Sequence, residues 1–178
     1  METNASVSVN TVLQTPNGRV EPLVLSTAQT ASGTSVNFTG IPSWVKRITV
    51  MFTGLSSNGT DALGLRLATS SGLVSTGYFS AYQGIGANAA TSALASATTF
   101  FGLIGGLAAS DILYGQVILT TMGNNIWTIT GTVCRDASND AIYMNSGAVT
   151  LSSLLTSASL IWSGANTFDA GTVNIMYE

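Results

Sequence analysis

Arg47–Leu67 reads RITVMFTGLSSNGTDALGLRL, and its two halves decide the fold class. Ile48, Val50 and Phe52 alternate with Arg47, Thr49 and Met51, and Leu63, Leu65 and Leu67 alternate with Ala62, Gly64 and Arg66. Successive side chains of a strand point to opposite faces, so each half reads as a half-buried β-strand. Ser56-Ser57-Asn58-Gly59 lies between the halves. Asn-Gly supplies the positive φ angles of a tight turn, and the two strands are therefore expected to form a hairpin.

The same period continues outward. Trp127, Ile129 and Val133 share one face while Thr128, Thr130 and Thr132 form a hydroxyl row on the other. Met122-Gly123-Asn124-Asn125 is the turn leading into that strand from the Gln116 to Thr121 strand. Ala158, Leu160 and Trp162 alternate with Ser157, Ser159 and Ser163, and the last strand sets Val173, Ile175 and Tyr177 inward. Roughly eight to ten short strands without an amphipathic helix between them make an all-β chain, an antiparallel β-sandwich or jelly roll. Gly84 to Thr99, rich in small residues, is expected to be an inserted loop. Phe100 to Ala109 is apolar but about half the length of a spanning helix, so it reads as an apolar interface or a buried strand pair, and no membrane insertion is expected.

With 178 residues the chain is long enough for one core, and one domain is expected over residues 21–178. Residues 1–20 are polar, lack a helical period and reach Thr15-Pro16-Asn17-Gly18, followed by Glu21-Pro22. They read as an extended N-terminal arm that grips a neighbour.

Composition narrows the chemistry. There is no histidine, and thirteen side chains carry a charge, whereas Ser and Thr number 22 and 24. General acid–base catalysis and zinc ligation lean first on imidazole, so no cofactor or metal is expected. Arg19, Lys46, Arg47, Arg66 and Arg135 are the only cations, too few to neutralise a run of phosphates, so nucleic acid is not an expected partner. Charged residues are 7% of the chain against about 25% in an ordinary soluble domain, which points to a surface covered by other subunits or hydrated through hydroxyls and amides instead. Cys134 is the single cysteine, expected as a buried thiol. The N-terminus has neither a basic nor an apolar signal segment, so synthesis and folding in a cytoplasm are expected.

Val24 to Gly59, VLSTAQTASGTSVNFTGIPSWVKRITVMFTGLSSNG, resembles a module of tailed-bacteriophage virion proteins of the tail-fibre type. Thr167 to Glu178, TFDAGTVNIMYE, is similar to that module's ending, and Ile41 to Ile48 is the most specific part. The resemblance implies a virion surface component, a homotrimer made in the host cytoplasm, held to other virion proteins through the arm. A capsid decoration protein is the alternative, and a polysaccharide-degrading enzyme a more distant one. No ligand site transfers with the likeness. Within the motif, Gly40-Ile41-Pro42 is expected to form a rigid turn and Trp44 to bury its ring under the stems of Lys46 and Arg47.

Two groups of residues are candidates for contact with host-surface polysaccharide or a partner. Tyr78, Phe79 and Tyr82 with Gln83 offer aromatic faces beside an amide; Tyr78 and Tyr82 share strand parity and Phe79 has the opposite one, so something must cover at least one face. Asp136, Asn139 and Asp140 offer oxygens that could hold calcium or a sugar hydroxyl, although such runs are commonly just turns. Trp162 with Asn166 is a further aromatic–amide pair. Asp61, Asp111 and Asp169 show no spacing that singles out a hydrolytic pair.

Overall fold

The computed structural model describes residues 14–15, 18–19, 23–86, 95–136 and 140–178. In chain order the first strands are β1 (Gln14–Thr15), β2 (Gly18–Arg19), β3 (Val24–Leu25), β4 (Gln29–Thr30), β5 (Ser35–Thr39) and β6 (Arg47–Ser57). There follow β7 (Leu63–Thr69), β8 (Gly72–Leu73), β9 (Tyr78–Gly86), β10 (Ala95–Ala97) and β11 (Phe101–Ile104). Then come β12 (Ile112–Gly123), β13 (Ile126–Asp136), β14 (Ala141–Thr150), β15 (Ser157–Trp162) and β16 (Phe168–Tyr177).

Two antiparallel sheets pack together. The larger is nine-stranded, ordered β10-β9-β14-β13-β12-β6-β16-β3, with β4 also on β16; the smaller is five-stranded, ordered β11-β7-β15-β5, with β8 on β7. β1 and β2 form a separate two-stranded ladder in the segment read as the arm, pairing Thr15 with Gly18 on either side of the expected turn. The alternation places Ile48, Val50 and Phe52 from β6, Val117 and Leu119 from β12 and Ile129 from β13 in the core. Leu63, Leu65, Leu67 and Leu160 of the smaller sheet are buried against the same core. Each such side chain contributes about 1.5–3 kcal/mol by leaving water.

The expected hairpin between Ile48–Phe52 and Leu63–Leu67 does not form. β6 lies between β12 and β16 in the larger sheet, and β7 between β11 and β15 in the smaller. The connection is tied to the loop before β16: Asn58 Oδ1 accepts from Thr167 N at 2.9 Å and Asp61 Oδ2 from Asn166 N at 2.9 Å. Those bonds hold the Asn58-Gly59 segment as a crossing between layers, so a local turn signal yields to tertiary partners. The tight turn is instead Asn124-Asn125, with φ of 51° and 60°, joining β12 to β13 as the sequence indicates.

The stretch Gly84 to Thr99 is partly strand: Gly84–Gly86 completes β9 and Ala95–Ala97 is β10, while residues 87–94 lie outside the described residues. Within Phe100 to Ala109, Phe101, Leu103 and Ile104 are fully buried in β11, the strand reading of that run. Gly40 has φ of 72°, Val45 N donates to Pro42 O at 3.1 Å, and the half-buried Trp44 ring lies 5.9 Å from Tyr177. Glu178 closes the end of the ladder: its N–H donates to Arg47 O at 3.0 Å and its carboxylate lies 3.3 Å from the Arg47 guanidinium.

Candidate interaction surface

The outer face of the larger sheet is built by alternation from the same strands that build the core. Register aligns its side chains in rows across the strands. One row runs Tyr114, Cys134, Ile142, Ile85. The next runs Gln83, Met144, Thr132, Gln116, Met51, Asn174. A third holds Ala81, Ser146, Thr130, Ile118, Thr49, Met176 and Leu25, and a fourth Phe79, Ala148, Thr128, Thr120 and Arg47.

Most of the exposed large apolar side chains stand on this face. Phe79 is 81% exposed, Ile142 54% and Ile85 51%, with Met144, Ile112, Tyr114 and Leu25 also open to solvent. Arg47 is the only ionisable carboxylate or cation in those rows, and it is paired with Glu178. Asp136 and Asp140 are exposed at the strand ends beyond the first row. Between the ends lie hydroxyls, amides, thioethers and hydrocarbon. Exposed apolar side chains gathered on one face in this way, rather than scattered singly, point to a place where protein or ligand sits. At one corner a hollow of about 300 Å³ is lined by Ile85, Gly86, Cys134, Asp140, Ala141 and Ile142.

The structure scatters the residues singled out from the sequence. Tyr78 is a core residue, 3% exposed, its ring edge-on to Phe101 at 4.9 Å. Its hydroxyl donates to Val74 O at 3.1 Å and accepts from Leu67 N at 2.9 Å. Desolvation raises its pKa above the ordinary 10.0, against lowering by the Leu67 bond and the Arg66 charge. Burial therefore takes Tyr78 out of a partner's reach, correcting its expected place in an aromatic platform. Tyr82 is half-buried, pointing inward; a Cβ on Gly102 would lie 2.6 Å from its ring, so glycine there makes room for it. Burial, and secondarily Tyr143, raises the Tyr82 pKa. Gln83 stands on the outer face, paired in register with Met144. Asp136 and Asp140 flank the stretch 137–139, so Asn139 lies outside the described residues.

Cys134 is exposed, not buried: its position in β13 has the parity of the Thr128–Thr132 hydroxyl row. Trp162 is buried against Phe168 at 4.8 Å and offers no open face. Asp111 is buried, accepting from Ala108 N at 2.9 Å and lying 3.9 Å from Arg135. Among the described residues no three His, Cys, Asp or Glu side chains cluster to hold a metal. Phe79, singled out in the sequence by its parity, stands on this face; Ile85, Tyr114, Ile142 and Met144 beside it carry no such signal of their own beyond strand alternation.

Compared with known proteins, the chain matches no family model, no curated protein and no solved structure.

Proposed function

We propose that this chain is a non-enzymatic structural protein of a bacteriophage virion, of tail-fibre or tail-tip type, built as a jelly-roll-like sandwich with an N-terminal arm. The observation that carries the reading is the outer face of the larger sheet, apolar and hydroxyl-rich, with its one cation already paired. Such a face suits a subunit that works while covered by other protein, as in a symmetric particle. The resemblance of Val24 to Gly59 and Thr167 to Glu178 to virion modules supplies the setting. The arm then meets other virion proteins. Host polysaccharide would meet the rim, where Asp136 and Asp140 are exposed.

The test is made on purified particles. Peptide mass spectrometry should find the chain in washed virions, and gold-labelled antibody should mark the tail. Label on the head shell would make it a decoration protein instead, and its absence from particles would refute the virion reading.

A further inference from the structure

We infer that the outer face of the larger sheet is covered by a second copy of this chain, paired about a two-fold axis that runs across the strands. This rests on the reading above that the face works covered, and names what covers it. The first support is a knob and a hole on one strand. Phe79 projects from one end of β9, and the hollow lined by Ile85 and Ile142 lies at the other end. The rotation keeps β9 over β9 but reverses strand direction, so each Phe79 ring is set over the other copy's hollow.

Area is the second support. Six strands about 4.8 Å apart, β9 to β16, by about eight residues of roughly 3.3 Å rise give a face of roughly 750 Å². A standard stable interface needs roughly 800 Å² from each partner. Charge is the third. With Arg47 paired to Glu178 and Asp136 and Asp140 at the strand ends, the centre of the face has neither self-repulsion nor a demand for an oppositely charged partner. The threefold assembly implied by the resemblance needs two different patches on each subunit, whereas one self-complementary face closes a pair.

Light scattering on the full chain should give a mass of two chains, falling to one in Phe79→Ser and in Ile142→Lys, with Leu154→Lys, an exposed apolar site off this face, unchanged. Geometry is read by cross-linking Ala148→Cys, which keeps Phe79. Its thiol lies about 20 Å from Cys134 of the same chain, six residues along the neighbouring strand, but close to Cys134 of the paired copy. A short bis-maleimide should join position 148 of one chain to Cys134 of the other. A wild-type mass of one or three chains, a two-chain mass that survives both face substitutions, or links joining only like positions overturns the inference. A chain that pairs in this way but is missing from virions would refute the virion reading and leave the pairing standing.

Discussion

On the outer side of the smaller sheet, Phe100 lies across Gly64, whose hypothetical Cβ would sit 2.3 Å from the ring, and Arg66 caps that ring at 6.0 Å. Arg66 Nε also donates to Thr99 O at 3.0 Å, so the chain folds its own segment over this face, and Ile161, opposite Gly64 in register, is buried. On the outer side of the larger sheet, Phe79 and Ile142 stand open. One polypeptide thus covers part of one outer face with its own segment and leaves the other open, and the proposed pairing concerns the open one. The difference separates residues that hold the fold from residues that present a surface.

Substitutions on the two sides should fall in a graded series. Leu65→Ala, in a strand buried on both faces, should lose about 2–5 kcal/mol of unfolding free energy in urea titration. Phe100→Ala, which uncovers Gly64, should cost about 2 kcal/mol by the same measurement. A loss as small as that of a surface site would break the contrast, because Phe100 would then not be functioning as cover.

Tyr78→Phe removes the hydroxyl that accepts from Leu67 N and should cost about 1–2 kcal/mol. Its pH dependence has a defined sign. The folded pKa is raised above 10.0 by desolvation, so the neutral phenol's contribution is complete below about pH 10. That contribution is lost as pH rises through the folded value. Alkaline unfolding curves should therefore fall less steeply for Tyr78→Phe than for wild type; identical slopes would count against a buried phenol. At the small end, Phe79→Ser should change the unfolding free energy of the separated chain by no more than about 0.5 kcal/mol, while abolishing association.

The inward faces were legible because the alternation of Ile48, Val50 and Phe52, or of Trp127, Ile129 and Val133, is a local property of a pleated chain. Strand partnership is not local. The Asn58-Gly59 signal predicted a hairpin, but bonds from Asn58 and Asp61 to residues 166 and 167 carry the chain to the other sheet. The candidate site was less legible, since Tyr78 looks like Tyr82 in the sequence and differs only in what the opposing sheet puts over it. Cys134 shows the same conflict: its type favours burial, while its strand parity with Thr130 and Thr132 puts it outside.

Cys134 also allows the most direct measurement, as the single thiol of the chain, exposed on this face beside the corner hollow. Its alkylation rate should fall as protein concentration rises through the association range and should become independent of concentration in Ile142→Lys. A rate in the wild-type chain that is fast and the same at every concentration would contradict a covered face.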